Sequence, residues 1–160
     1  MTENQIPSKK ECLAILNKNK TPSNVIGHSK AVCKLAEEIA GNLIKRGIQV
    51  NKELVTAAAL LHDIEREKDN HIVAGAELLK RLGFYEVSET TKKHSLYNLD
   101  DEKVQPKTIE EKIIFYADKR VKGDKIVSLD ERHEDLKKRY DIDLTKEFEF
   151  AKKIEKELLQ

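Results

Sequence analysis

Leu60 to Gly75 reads LLHDIEREKDNHIVAG. It closes an apolar helical run, Ala57 to Leu61 (AAALL), with an adjacent histidine and aspartate where the pattern predicts core. An ionised carboxylate buried without a partner is costly, and such a group either loses its charge or meets something positive. Asp63 therefore needs a partner, and the rest of the chain supplies candidates.

Outward from this stretch the sequence is punctuated as a series of helices. Ser8 and Glu11 form a capping-box pattern before CLAIL, opening a first helix that fades through NKNK. Thr21 and Pro22 read as N-cap and first position of a long second helix ending near Gly47. Asn51 caps a third, through LVTAAALLHDI, and Asp69 or Asn70 caps a fourth, HIVAGAELLKRL, closed by Gly83. A fifth is expected around EVSETTKKHSL, although its threonines and serines weaken it. Thr108 and Glu111 open a sixth, IEEKIIFYADKRV, stopping at Gly123, and the last strong helix runs from Leu144 to Leu159 with Phe148, Ala151, Ile154 or Glu155, and Leu158 on one stripe. No period-two stretch of useful length occurs, and Asn98 to Lys107 is the most loop-like internal segment.

Composition agrees with an all-α class: 39% apolar and 37% charged residues, with only 6 Gly and 3 Pro in 160. That length suits a single domain, 1–160, with a more polar, C-terminal helical extension over 124–160. Thirty basic and 29 acidic residues leave a net charge of +1, and aromatics reach only 5%, which argues against long nucleic acid as a ligand. Cys12 and Cys33 form no disulfide framework or zinc pattern, and reduced thiols are expected. MTENQIPSKKE lacks an apolar signal core, and no apolar run is long enough to span a bilayer. A cytoplasmic protein without membrane contact is the expectation, and a homo-oligomer is left open.

The informative feature is where ionisable residues fall. His28 lies on the ladder Val25, Val32, Leu35, Ile39 and Leu43, while His62 follows Val55 and Ala59 on another. His71 aligns with Gly75, Leu78 and Leu82, His94 with Val87 and Thr91, and Asp118 with Ile114 and Val121. Four of the five histidines and two aspartates thus face inward, whereas His133, in LDERHEDLKKR, reads as a solvated surface residue. A lone inward histidine is ordinarily a hydrogen-bonded core residue; six such placements point to imidazole and carboxylate ligands for a shared cation.

This set resembles the HD-domain metal-dependent phosphohydrolases. Their pattern of a histidine, an adjacent His-Asp and a distant aspartate is matched by His28 in NVIGHSKAV, His62 and Asp63 in ALLHDIE, and Asp118 in IIFYADKRV, over about residues 22 to 123. His71 in HIVAGAELL and His94 in KKHSL match the further histidines of two-metal branches, some of which carry consecutive histidines where this chain has one. Many relatives read HDIG followed by a basic residue; here Glu65 replaces the glycine and Arg66 is the nearest cation.

The resemblance implies a bundle of five or more helices around one or two divalent ions (Mn, Fe, Co, Ni, Zn or Mg), with Asp63 bridging. It also implies a metal-activated water attacking a small phosphorylated substrate, of which a nucleotide is the leading case. Arg66, Lys119 and Arg120 are candidate phosphate contacts, with Lys68 and Lys122 more readily explained as a solvated basic face. Lys119 and Arg120 are consecutive, so at most one of them is expected to face the site. Two further readings stand beside this one: a two-iron HD-fold oxygenase, and a helical module that binds metal or ligand without turnover.

Overall fold

The computed structural model describes residues 5–160; of MTENQIPSKKE, the segment read above for a leader, residues 1–4 lie outside it. Eight α-helices form among the described residues: α1 (Lys9–Lys18), α2 (Ser23–Lys45), α3 (Lys52–Leu61), α4 (His71–Arg81), α5 (Tyr85–Thr91), α6 (Ile109–Lys119), α7 (Leu129–Tyr140) and α8 (Thr145–Leu159). A 3₁₀ turn, Lys92–His94, continues α5, and Val121–Lys122 (β1) pairs antiparallel with Lys125–Ile126 (β2). The fold is all-α.

α3 is the axis. Seven of its ten residues, Leu54, Val55 and Ala57 to Leu61, are buried, and the three consecutive alanines let helices approach from several sides. α2, about 35 Å long at 1.5 Å per residue, lies along it and buries Val25, Val32, Leu35, Ile39 and Leu43, the ladder expected from sequence. α1, α5 and α6 complete the shell around α3. α8 packs on α6 through Phe148, Ala151, Ile154 and Leu158, so the C-terminal residues join the same apolar core. Cys12 and Cys33 are buried and free, and burial pushes each thiol up to about 12.

The caps explain the boundaries. Ser8 Oγ accepts from Glu11 N at 3.2 Å while Glu11 accepts from Ser8 N at 3.3 Å, and Thr108 with Glu111 repeats the box at α6. Each such cap contributes about 1 kcal/mol.

Elsewhere the expectations need correction. Thr21 does not cap α2: Pro22 takes that position without a side-chain bond, because the Thr21 hydroxyl donates to Ile64 O at 3.3 Å instead. α6 stops at Lys119 rather than near Gly123, which turns the small hairpin with φ +63. In α4, Leu82 is 46% exposed, since Leu82 is the C-cap and the inward face runs through Gly75, Ala76 and Leu79.

α7 lies in the segment expected as a C-terminal helical extension, at a place where no individual helix was read. Its sequence is polar enough to hide the helix, burying only Leu129 and Leu136, one at each end of a seven-residue interval. Ser128, whose side chain accepts from Glu131 N at 3.1 Å, was the available signal. His133 is also not a free surface residue: it is half-buried and stacks on Phe148 with centroids 4.6 Å apart and planes 10° off parallel.

Candidate metal centre

Five helical segments bring their termini or inner faces to one point. His28 comes from the second turn of α2, His62 and Asp63 directly follow α3, His71 opens α4, His94 ends the 3₁₀ turn after α5, and Asp118 sits in the last turn of α6. All six predicted residues meet there.

Asp63 is central because its two oxygens face different neighbours. Oδ2 lies 3.6 Å from His28 Nε2 and 3.4 Å from His62 Nε2. Oδ1 lies 3.7 Å from His71 Nε2 and 3.5 Å from His94 Nε2. Asp118 Oδ1 adds to the first side, 3.0 Å from His28 Nε2 and 3.2 Å from His62 Nε2. Two overlapping ligand groups result, His28–His62–Asp63–Asp118 and Asp63–His71–His94, each with ligand atoms within 4.8 Å of one another. Ligands at about 2.0–2.2 Å from one ion are separated by roughly 3–4 Å, so the spacing fits.

The tautomers are fixed from behind. His28 Nδ1 is 2.7 Å from Gly123 O, His62 Nδ1 2.7 Å from Ala59 O, and His94 Nδ1 2.5 Å from Thr91 O. A carbonyl can only accept, so each Nδ1 carries a proton and donates it. In the neutral ring Nε2 is then a lone pair, and these lone pairs converge on carboxylate oxygens that also carry lone pairs. Only protons or a cation can reconcile them. His94 Nε2 is buried with no hydrogen-bond partner among the described residues, which a coordinate bond would explain. The donor set is therefore suited to a divalent ion.

The electrostatics show the same tension. Burial disfavours the charged form of His62, but Asp63 and Asp118 outweigh it and raise the group to about 10. Burial likewise opposes ionisation of both aspartates. The charge of His62 beside it holds Asp63 well below the usual carboxylate range, and Lys119, His28 and His62 do the same for Asp118. His71 is lowered, by burial against the pull of Asp63, with Arg66 and His94 adding repulsion; that favours the neutral ring ligation requires.

The candidate phosphate contacts separate. Lys119 is buried and donates from Nζ to Asp118 Oδ2 and to His94 O, each at 2.7 Å, so it pins one aspartate oxygen and leaves the other for the centre. Arg66 is exposed at the rim, its Nη1 3.4 Å from His71 Nδ1. Lys68 pairs with Glu65 at 2.6 Å and Lys122 approaches Asp135 at 3.4 Å, both outside the wall of the cleft. Glu65, in the place of the expected glycine, is turned away to accept from Asn19 Nδ2 at 2.7 Å. At Gly75 a Cβ would meet Ile64 Cγ2 at 3.5 Å, an ordinary contact, so close helix approach does not require a glycine there.

Arg120 is not at the site. Beyond the helix end it donates to Val127 O and, at 2.5 Å, to the Tyr116 hydroxyl, with Glu155 of α8 3.9 Å away. Arg120→Ala is expected to leave KM for any substrate within about twofold while lowering unfolding free energy by about 1–2 kcal/mol, read by chemical denaturation.

The centre opens into a cleft of about 570 Å³. Its walls include residues the sequence reading did not single out, notably Tyr97 after the 3₁₀ turn and Arg132, Leu136, Arg139 and Tyr140 of α7. Among the described residues no helix is long and apolar enough to cross a membrane.

Comparison with known proteins agrees with this geometry. The HD domain family matches residues 25–121. An uncharacterized protein of Methanocaldococcus jannaschii is 36% identical over 81% of this chain and 84% of its own length. The tRNA (cytidine(56)-2'-O)-methyltransferases of Picrophilus torridus and Thermoplasma volcanium are 35% and 34% identical over 78% and 84% of this chain. The chain spans only about two fifths of those two proteins, 39% and 42%. No solved structure gives a significant match. With the matched span running from α2 through α6, the segments that carry all six inward candidate ligands, the chain belongs to the HD domain family.

Proposed function

We propose that this protein is a metal-dependent phosphohydrolase acting on a phosphate ester or anhydride of a small metabolite, with a nucleotide as the leading candidate. The observation that carries the reading is Asp63, whose two oxygens face two separate histidine pairs at the floor of an open cleft.

In this reading His28, His62, Asp63 and Asp118 hold one ion, and Asp63, His71 and His94 hold a second. Divalent ions there would supply a water acidic enough to attack near neutral pH and positive charge opposite the phosphate oxygens. The protein's part is positioning. The backbone carbonyls behind His28, His62 and His94 keep Nε2 inward, and Lys119 orients Asp118. Arg66 at the rim is placed to meet a non-bridging oxygen of an entering phosphate, where a guanidinium suits the charge and shape. Val25, Leu136, Leu144 and Tyr140 offer apolar wall for a base or sugar. Two relatives named for a tRNA-modifying activity favour a nucleotide over other phosphate esters.

The test is anaerobic phosphate release from a panel of nucleoside phosphates, cyclic nucleotides and dinucleoside polyphosphates with Mn²⁺, Co²⁺, Ni²⁺ or Mg²⁺. Metal-stimulated release that disappears in the His62→Ala, Asp63→Ala double variant, with helical content kept, is expected. Iron-dependent O₂ uptake without phosphate release would establish the oxygenase instead. A metal-loaded protein inert across the panel would leave a binding module.

A further inference from the structure

We infer that α7 builds a second anion subsite in the cleft, so that the substrate carries a further phosphate or carboxylate besides the group presented to Asp63 and its histidines. The inference rests on the reading above for the position of the reacting phosphate.

The observation is an imbalance of charge on the α7 wall. Arg132, Arg139 and Lys122 surround one carboxylate, Asp135. Its Oδ2 already accepts from Arg139 Nη2 at 2.8 Å, and its Oδ1 lies 3.4 Å from Lys122 Nζ. Arg132 is left with the remainder: Nη1 stands 3.6 Å from the same Oδ2, beyond a hydrogen bond, and Nε and Nη1 are buried without a hydrogen-bond partner among the described residues. A mostly buried guanidinium with unmet donors is costly, and such groups are normally matched by an acceptor.

Arg132 has only 15% of its side chain exposed, and it forms part of the wall of the cleft that holds Asp63, His71 and His94. Arg139, also in that wall, adds a second cation nearer the solvent, 52% exposed. Lys119, the other buried cation of the cleft, is neutralised by Asp118, so it does not compete for the same anion. An anion entering beside α7 therefore meets a guanidinium with unmet donors, which shares the single carboxylate of Asp135 with two other cations. Either a phosphate or a carboxylate has the required chemistry, since a guanidinium pairs with both.

The test is calorimetric binding to the Mn²⁺-loaded full chain, with phosphate release followed in the same samples. Adenosine 5'-monophosphate is compared with adenosine 3',5'-bisphosphate, and methyl phosphate with 2-phosphoglycolate. The wild type is expected to bind the doubly anionic member of at least one pair at least tenfold more tightly. Arg132→Gln should erase that preference while leaving the singly anionic member within twofold, Arg132→Lys should restore part of it, and Arg139→Gln should reduce it less. Loss in the first pair identifies phosphate as the second anion, and loss in the second pair identifies carboxylate. Equal affinities within both pairs in the wild type, or a preference unchanged in a folded Arg132→Gln protein, would overturn the subsite. Binding without phosphate release would count against the hydrolase and leave the subsite standing.

Discussion

Replacing Asp63 by alanine is expected to lower kcat/KM for metal-stimulated phosphate release by at least about a thousandfold, roughly 4 kcal/mol of transition-state stabilisation. The magnitude follows from sharing. Asp63 Oδ2 serves the side formed by His28 and His62, and Oδ1 serves the side formed by His71 and His94, so one truncation strips a ligand from both groups. No other side chain stands in both groups. Asp118 cannot take over, because its Oδ2 is held by Lys119 and its Oδ1 already faces His28 and His62. Elemental analysis should therefore rank the variants: Asp63→Ala loses most of its bound metal, whereas Asp118→Ala and His94→Ala each weaken one group and keep the other. An Asp63→Ala protein that retains wild-type metal content and turnover would show that the carboxylate does not bridge.

That ranking depends on residues that were legible before any coordinates. His28, His62, His94 and Asp118 each continue the inward stripe of a helical segment, at a position that an apolar residue would fill in an ordinary bundle. The ladders around them, such as Val25 to Leu43 in α2, are buried as their spacing requires. Periodicity reports which face points inward; the common centre was implied by the resemblance to the HD-domain pattern, and His71 supplies the fifth segment that meets there.

What it does not report is direction at a helix end. Lys119 and Arg120 are neighbours with similar chemistry, yet α6 ends between them: Lys119 turns into the core, and Arg120, as the C-cap at φ −97, reaches the hairpin and α8. The contribution of α7 was hidden for a different reason. With only Leu129 and Leu136 buried, its apolar pattern is too sparse to mark a helix or an inward face, and its arginines read as surface charge. Their role in the cleft wall depends on how α7 packs against α8 and faces the cleft, a tertiary fact that local spacing does not encode.

The second large effect concerns stability. Adding Mn²⁺ at about one hundred times its dissociation constant should stabilise the folded chain by about 2.7 kcal/mol. For a chain of this size that is a rise of roughly 5–11 °C in Tm. The rise should depend on pH. In the metal-free protein His62 sits at about 10, held there by Asp63 and Asp118 against the cost of burial. Its unfolded value is near 6.5. Its protonation therefore stabilises the metal-free fold fully below about pH 6.5, and that contribution is lost as pH rises through about 10. Asp63 and Asp118 have depressed values, so their contribution is present above about pH 4 and is lost only as pH falls through the folded values. They leave the neutral window flat. Ligation requires the unprotonated ring, so metal must displace the proton that His62 holds, and apparent affinity should tighten by about tenfold per pH unit between pH 6 and 8. At a fixed metal concentration the Tm gain is then small at pH 6 and large at pH 8, while the metal-free Tm drifts the opposite way. Scanning calorimetry at both pH values, with Asp63→Ala as the control in which the gain collapses, reads all three. A metal-induced rise equal at both pH values, or one that persists in the Asp63→Ala variant, would mean that the ion binds somewhere other than among these histidines.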